Sequence, residues 1–411
     1  MSFLKIERLV LAQSLMIAAL LSLLASPPLT NLFEALTFLV IVFTPALRTR
    51  VLRFFSTPAG WWVLAFMLAL GSALLYGIAP RSVILSDLHS WRRILLLPMA
   101  ASLFADSPLA KRRAAYSLFC AAAVFVAYSF VAYALPNLFY WVEDRGVVVR
   151  NHSTQGLFFA VAVLVGITAL YHRWFRSNAE KYFYAGFSIL LFANITLFTP
   201  GRSGYFALLV LFGVYFSRKM MREPSAKNLS IAALSVALVA GVLYFSPLAN
   251  KKLTQAVEEA QLYNVNASKN VVTSVGVRVM YWRTTLQMIP KHPILGVGTG
   301  AFALAYANEV AGRTDLTGFV TPDPHNQFMK IAAEQGLLGL AIFIGLLIAV
   351  ARQRTSEPFT YLGLCVLLTW CVTSMGNAHF TTFSEGHFIW MWLGMMFAAE
   401  KTASEVPPSM A

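Results

Sequence analysis

Apolar runs of about 20 residues recur along nearly the whole sequence, and each has the length that an α-helix needs to cross a lipid bilayer. Of the 411 residues, 58% are hydrophobic and only 12% are charged, with a mean hydropathy of +0.65. The bilayer is therefore the expected solvent. The sequence predicts an all-α, polytopic membrane protein with about 12 transmembrane helices. These are expected near 9–26, 29–47, 60–78, 92–105, 114–135, 155–171, 182–199, 202–217, 229–246, 326–350, 359–376 and 386–399.

Lysine and arginine cluster in alternate connections between these helices, which by the positive-inside rule makes that side cytoplasmic. Both termini are then cytoplasmic. Residues 1–246 hold helices one to nine, 247–324 form a long loop on the outer side with short helices, and 325–411 hold the last three helices and a tail. The inner clusters are Lys5 and Arg8, Arg48, Arg50 and Arg53, Lys111 to Arg113, Arg173, Arg176 and Lys181, Arg218, Lys219, Arg222 and Lys227, Arg352 and Arg354, and Lys401.

The N-terminal pattern has a second interpretation. Lys5 and Arg8 before the apolar run also fit a signal peptide. A second apolar segment follows directly after Pro27 and Pro28, and this favours a retained first helix.

Two short helices are expected in the long outer loop, both lying on the membrane surface. The segment Lys251 to Asn264 is amphipathic, with Leu253, Val257 and Leu262 roughly on one face. The second spans Val277 to Ile289 and stops before Pro290.

Several function classes are excluded. The net charge of +14 comes from clusters at helix ends, so nucleic acid is not the expected partner. The three cysteines, at 120, 365 and 371, lie in apolar runs without metal-ligand spacing. Gly296, Gly298 and Gly300 depart from the dinucleotide fingerprint and predict a flexible bend. No outer carboxylate pair suits a divalent cation, so no metal and no cofactor is expected.

Arg202 stands out because the six residues from Thr199 to Gly204 are all that connects two spanning helices. A snorkelling side chain would explain it, but a guanidinium there also suits an anion, since its planar fork of donors matches phosphate oxygens. Arg278 and Arg283 lie on the second outer helix and are expected near the same region, with lipid headgroup contact as the alternative.

His325 is the candidate base. Asp323 suits a helix N-cap and Pro324 the first helical position, which would put His325 in the first turn of the helix re-entering the membrane. A helix N-terminus disfavours imidazolium, so a neutral ring able to accept a proton is expected. An interfacial histidine bonded to a neighbour is the alternative. Glu334, further along that helix, is either functional or bonded to another helix.

Other polar residues on the outer side carry weaker signals. Arg145, Arg150 and His152 lie in the loop near 136–154 and are secondary candidates for the site. His379, Glu385 and His387 flank the last outer connection as part of a rim, with no assigned role.

These features resemble the bacterial O-antigen ligases, within the superfamily that includes O-antigen polymerases and protein O-oligosaccharyltransferases. The resemblance rests on the twelve-helix plan with a long loop between the ninth and tenth helices. It also rests on three local patterns: Gly201 to Gly204, Val277 through Trp282 to Gly298, and Asp323 to Asn326 followed by Glu334 to Gly339.

The resemblance implies a GT-C-like glycosyltransferase that moves O-antigen from undecaprenyl pyrophosphate to lipid A-core at the periplasmic face of the inner membrane. Arg202 and Arg278 would hold the pyrophosphate and His325 would activate the acceptor hydroxyl. Pyrophosphate is an acidic leaving group, so cationic stabilisation suffices without metal or nucleotide. A single base opposite the leaving group predicts inversion, by analogy with glycoside hydrolysis.

Two groups of alternatives stay open. A polymerase or a protein O-oligosaccharyltransferase would share these motifs and differ in the acceptor. A twelve-helix secondary transporter shares the topology. Carriers place polar groups near the bilayer midplane, whereas here they gather at the outer helix ends, with Glu334 as the exception.

Overall fold

The computed structural model describes residues 3–138, 144–199, 201–262, 273–353 and 355–400. Arg354, Lys401 and the predicted helix end at Asn264 lie outside them. The α-helices of the described residues are α1 Phe3–Ser22, α2 Pro27–Val42, α3 Pro45–Phe54, α4 Pro58–Tyr76, α5 Arg81–Trp91, α6 Leu96–Phe104, α7 Pro108–Ala134, α8 His152–Tyr171, α9 Asn178–Ala193, α10 Arg202–Arg222, α11 Ala226–Phe245, α12 Pro247–Gln261, α13 Ser274–Met288, α14 Phe302–Glu309, α15 Gln327–Ala351, α16 Phe359–Thr373 and α17 Phe383–Met396.

The predicted class, an all-helical multi-pass membrane protein, is confirmed. Six helices among the described residues are long and apolar enough to cross a membrane, or seven if the bent pair α2 and α3 is one span. The larger number of about 12 stays a prediction, because several apolar helices are shorter than a span requires. The six are α4, α7, α8, α11, α15 and α9 with its continuation to Phe198.

Two predicted helices are wrong in their extent. The segment 29–47 is divided into α2 and α3, which meet at an angle of 102° because Pro45 begins a new helix after the extended Thr44. The segment 92–105 is a 3₁₀ turn, Arg92–Leu95, followed by the nine-residue α6. The apolar pattern does not predict α5, which is too polar, or α14, which is only eight residues long.

Helix α8 forms the centre of the bundle. Most of its side chains are buried, and it packs against α7, α9 and α10. The helix pairs α1 and α2, α6 and α17, and α4 and α15 build the rest of the core. Helix α11 is peripheral, with most of its surface exposed. The interior of the bundle is therefore mostly apolar, and the ends of its helices carry the candidate functional residues.

A break inside α15 connects that helix to the long loop. Gly336 has φ +68°, so the helix is interrupted there and backbone groups on either side lose their helical partners. The loop segment 293–298 lies beside this break and supplies the missing hydrogen-bond partners, as buried backbone groups require. The hydrogen bonds are Val297 N–H to Ala333 O at 3.0 Å, Gly298 N–H to Glu334 O at 2.8 Å, Leu337 N–H to Pro293 O at 2.8 Å, and Leu338 N–H to Ile294 O at 3.3 Å.

This docking changes the interpretation of the glycine-rich segment. Gly296, Gly298 and Gly300 all have positive φ, as a bend requires, but the segment is fixed against α15 by backbone hydrogen bonds rather than flexible. The hydroxyl of Tyr76, at the end of α4, also donates to Leu295 O at 2.7 Å. The end of the bundle where residues 247–324 lie is called the long-loop end below.

Candidate active site

Arg202 is the first residue of α10, at the long-loop end. A buried polar network fixes the preceding turn: Thr199 Oγ1 donates to Asn194 Oδ1 at 2.7 Å, and Gln155 of α8 reaches both residues at 3.3 Å. Asn194 also begins a short π-helical turn, which shifts the direction of the chain. The start of α10, and with it the Arg202 side chain, is therefore held by the bundle interior.

Helices α8 and α10 approach closely next to Arg202. A Cβ atom on Gly156 would stand 2.8 Å from the Cα of Gly204, which explains glycine at both positions. The hydroxyl of Ser153 donates to that of Ser203 at 2.9 Å in the same crossing. The small residues after Arg202 thus set its position relative to α8.

Arg278 lies in the second turn of α13, which the sequence analysis predicted as the second outer helix. Its guanidinium Nη1 donates to the carbonyl and the hydroxyl of Ser274, at 3.0 and 2.9 Å. Its Nε is buried without a hydrogen-bond partner. Burial and the neighbouring Arg202 lower the pKa of Arg278, and Glu259 opposes them. The two arginines therefore share one electrostatic environment.

Glu259 lies beside Arg202 and Arg278 and is not predicted from the sequence. This glutamate of α12 is only 8% exposed. Its Oε1 lies 4.0 Å from Arg202 Nη2, and its Oε2 accepts the N–H of Val275 at 2.9 Å, while Gln255 donates to Oε1 at 2.9 Å. The carboxylate connects α12 to the start of α13 and partly balances the arginine pair.

The buried side of α12 differs from the expected one. Val257 and Leu262 of the predicted apolar face are 54% and 49% exposed, and only Leu253 packs against the core. Glu259 is directed inward instead. The exposed apolar pair is available for lipid contact, in keeping with the predicted position of this helix on the membrane.

His325 is placed differently from the prediction. It lies just outside α15, with φ +53°, and Asn326 is the N-cap, accepting the N–H groups of Phe328 and Met329 at 3.1 Å each. Asp323 is not the cap; its Oδ1 accepts the N–H of His325 at 2.6 Å. The left-handed backbone of His325 ends the turn that begins at Asp323. The side chain of Asn326 then accepts two backbone N–H groups at the start of α15 that have no partner within the helix.

The histidine nevertheless has the expected tendency to be neutral. Burial and the charge of Arg278 lower its pKa below the ordinary 6.5, while Asp323 and a hydrogen bond with Asn377 act in the opposite direction. Its ring lies nearly parallel to that of Tyr281, at 24° and 6.1 Å between centroids. Tyr281 is on the same helix as Arg278, so α13 contributes to both halves of the site.

The structure brings Arg202, Arg278 and His325 together from three segments far apart in the sequence. Arg278 interacts electrostatically with each of the other two. Guanidinium groups can hold an acidic group, and a neutral imidazole can remove a proton from a neighbouring hydroxyl. The arrangement thus contains the chemical groups that anion binding and general-base catalysis require.

Two of the secondary candidates, Arg145 and Arg150, contact residues outside this group. Arg145 stacks on Tyr133 of α7 at 4.9 Å and donates to its carbonyl. Arg150 is directed to Ser384, at 3.5 Å. Arg283 is exposed, and five residues after Arg278 it lies on a different face of α13.

His152, a further secondary candidate, is the first residue of α8. Its Nδ1 lies 3.1 Å from Asp144 Oδ2, with both side chains about half exposed. A Cβ atom on Gly201 would stand 2.9 Å from the His152 carbonyl oxygen, so the backbone of this histidine adjoins the arginine turn.

The expected rim of His379, Glu385 and His387 is wrong, because all three are buried. Glu385 accepts the hydroxyl of Thr154, and His387 Nδ1 donates to the carbonyl of Phe383 at 2.6 Å. These contacts belong to the interior packing of α8 and α17. The hydrogen-bond partners of these buried residues cannot be recognised from the sequence pattern, so their burial was not predicted.

Residues 186–344 match the family model described as O-antigen ligase. The matched segment contains Arg202, Glu259, Arg278 and His325. No curated protein sequence is significantly similar to the chain.

Proposed function

We propose that this chain belongs to the O-antigen ligase/polymerase superfamily and is an inverting ligase that transfers O-antigen from undecaprenyl pyrophosphate to lipid A-core in lipopolysaccharide biosynthesis. The observation that carries the proposal is the convergence of Arg202, Arg278 and His325 at one end of the helical bundle. Membrane lipids would surround the bundle, and both substrates would approach laterally.

The two arginines suit the pyrophosphate of the donor. Arg202 and Arg278 raise each other's electrostatic energy, so an anion that contacts both relieves their repulsion. Guanidinium groups also match phosphate oxygens in two-point hydrogen bonds. Negative charge grows on the pyrophosphate as its bond to the sugar breaks, and cations fixed beforehand stabilise that charge.

His325 suits the role of base. In the transfer, its neutral imidazole takes the proton of an acceptor hydroxyl, the hydroxyl oxygen forms a bond to the anomeric carbon, and the bond from that carbon to pyrophosphate breaks. The depressed pKa keeps the ring deprotonated near pH 7. Attack from the face opposite the leaving group inverts the anomeric centre. The leaving group departs as an anion, so no second proton donor is needed.

The charge distribution supports a periplasmic site in the inner membrane. The basic clusters that predict the cytoplasmic side include Arg218 and Arg222, which pair with Glu357 at 3.1 and 2.6 Å. These residues are at the far end of α10 from Arg202. By the positive-inside rule, the long-loop end faces the periplasm.

The test is reconstitution of the purified protein with undecaprenyl-pyrophosphate-linked O-antigen and lipid A-core, without nucleotide and with a chelator. We expect a joined product on a gel. His325→Ala and His325→Asn should each reduce transfer by roughly 10²-fold to 10⁴-fold. Asn is the stricter variant, because it tolerates the left-handed backbone at this position.

Other outcomes would overturn the proposal. Longer lipid-linked glycans without any joined product would identify a polymerase. Glycan appearing on a protein acceptor would identify a protein ligase. Full activity of the His325→Asn variant would remove this residue as the base.

A further inference from the structure

A polar cavity of about 410 Å³ opens at the long-loop end, and its lining does not include Arg202, Arg278 or His325. It lies between α5, the start of α14 and the first turns of α15. Its volume is within the range of small-ligand sites. Pro322, three residues before His325, forms part of its wall. The cavity therefore adjoins the segment that carries the base.

Helix α5 contributes a row of hydroxyl groups to this cavity. Ser82, Ser86 and Ser90 recur at every fourth position, so they share one face of the helix, and all three line the space. Asp87 lines it beside them, and its buried Oδ2 has no hydrogen-bond partner. A buried carboxylate oxygen without a donor is costly, so a ligand that supplies a hydroxyl proton would stabilise it.

Helix α15 supplies the opposite wall. Lys330 and Glu334 stand one turn apart and both line the cavity. Glu334 Oε1 also accepts the N–H of Phe302 at 3.3 Å, which fixes it at the start of α14. The ammonium of Lys330 interacts electrostatically with Glu334, Asp87 and Asp323.

The charged groups of the two sites differ. The cavity is lined by the acidic residues Asp87 and Glu334 and by the cation Lys330. Arg202 and Arg278 form a pair of guanidinium groups with Glu259 as a neighbouring carboxylate. An anionic pyrophosphate is therefore favoured at the two arginines over the cavity.

We infer that this cavity binds the acceptor saccharide, a hydroxyl-rich sugar that enters beside His325. This inference rests on the proposed function. Sugar hydroxyls both donate and accept, and the wall offers matching partners: carboxylates that accept, an ammonium that donates, and serines that do both. The Asp323 side chain, which holds the His325 N–H at 2.6 Å and interacts with Lys330, connects the cavity to the base.

The test compares variants of the cavity in the reconstituted reaction, with lipid A-core varied at saturating donor and the donor varied at saturating lipid A-core. Ser86→Leu fills the space, and Asp87→Asn removes a charge while keeping the shape. Each should raise the KM for lipid A-core about tenfold or more, because Asp87→Asn weakens hydrogen bonds to a charged group and Ser86→Leu occupies the space of the sugar. The KM for the donor should change less than about twofold.

The matched control is Ser230→Leu, on α11. Ser230 is exposed, donates to Ala226 O at 2.9 Å and lies outside the cavity. It should leave both KM values at the wild-type level.

An unchanged KM for lipid A-core in both cavity variants would overturn the inference, and so would a rise confined to the donor KM. A fall in kcat alone, with both KM values unchanged, would assign the cavity a structural role and would also overturn it. Absence of transfer by the wild-type protein is a separate result, because it contradicts the proposed function itself.

Discussion

Arg202 Nη2 and Glu259 Oε1 lie 4.0 Å apart, which is close enough for strong attraction but too far for a direct hydrogen bond. Each oxygen of this carboxylate accepts a hydrogen bond from another partner, Oε1 from Gln255 and Oε2 from the Val275 N–H. Glu259 therefore reduces the repulsion between the arginines without occupying the guanidinium donors of Arg202. Those donors stay available for a substrate anion.

Glu259→Gln should tighten donor binding. The amide retains an acceptor for the Val275 N–H but removes one negative charge from the arginine group. We expect the donor KM to fall about fivefold, which corresponds to roughly 1 kcal/mol, the attraction of one partly screened charge. Inhibition by the product undecaprenyl pyrophosphate should increase by a similar factor. Steady-state kinetics with added product would measure both.

The neighbouring Glu258 provides the control for this prediction. It is exposed on the same helix, and Glu258→Gln should change the donor KM little. A higher donor KM in Glu259→Gln would contradict the charge argument and show that the carboxylate positions Arg202.

The pH dependence of transfer should identify His325 and its neighbours. Because burial and Arg278 lower the pKa of His325 below 6.5, kcat/KM should fall only on the acid side, below that pH. Asp323 acts in the opposite direction, so Asp323→Asn should lower the pKa further and move the acid limb to lower pH. The amide oxygen can still accept the His325 N–H.

The measurement is kcat/KM for the acceptor across pH 4.5 to 8 in wild type and Asp323→Asn, since this parameter reports the free enzyme. An acid limb that moves to higher pH would contradict the assignment. A limb identical in both proteins would mean that another group controls it.

Arg202 and His325 are predicted as site residues because each is a polar residue that breaks a strong local rule, whereas only the resemblance to the O-antigen ligases distinguishes Arg278 from Arg283. A cation in a short outer connection and a histidine before an apolar helix stand out against the membrane pattern. Glu259 did not stand out, since a glutamate on an amphipathic helix is ordinary until its inward direction is known. The cavity was hidden for a similar reason, because α5 has no apolar run.

The helix start at α15 shows where local rules compete. Asp323 and Pro324 form a good N-terminal signal, but Asn326 is an equally good cap and lies nearer to the apolar residues. The N–H of Gln327, the residue after the cap, donates to Ser374 O and Asn377 O at 2.9 and 3.1 Å, contacts that the local sequence does not show. The break at Gly336 was not predictable either, since its compensating hydrogen bonds come from the remote segment 293–298.

Arg202→Lys should be poorly tolerated. Lysine keeps the charge but presents a compact ammonium in place of the planar fork, and two-point contact with phosphate is lost. We expect kcat/KM for the donor to fall about 10-fold to 100-fold, in line with charge-assisted hydrogen bonds of roughly 1.5–3 kcal/mol. Arg283→Lys, on the exposed face of α13, should retain nearly full activity. Equal activity of the Arg202→Lys and wild-type proteins would show that simple charge suffices.

Gly204→Ala should both destabilise the protein and lower transfer. Its Cβ atom would stand 2.9 Å from Ile195 Cγ2 and 3.0 Å from the Cα of Gly156, so α8 and α10 must separate. Overpacking of this kind costs about 1–3 kcal/mol, which should appear as a lower thermal unfolding midpoint in detergent. Since Arg202 is two residues away, the separation also displaces its guanidinium from Glu259 and Arg278, and the donor KM should rise.

Gly213 on the same helix offers a matched control for this prediction, because no atom lies within 4 Å of the Cβ that alanine would add there. Gly213→Ala should leave transfer unchanged and raise helix stability by up to about 1 kcal/mol. The pair separates helix propensity from the helix crossing, since both variants make the same chemical change in α10. A Gly204→Ala protein with the unfolding midpoint and donor KM of Gly213→Ala would show that the crossing does not position Arg202, and the arginine group would then owe its geometry to the turn at Asn194 and Thr199 alone.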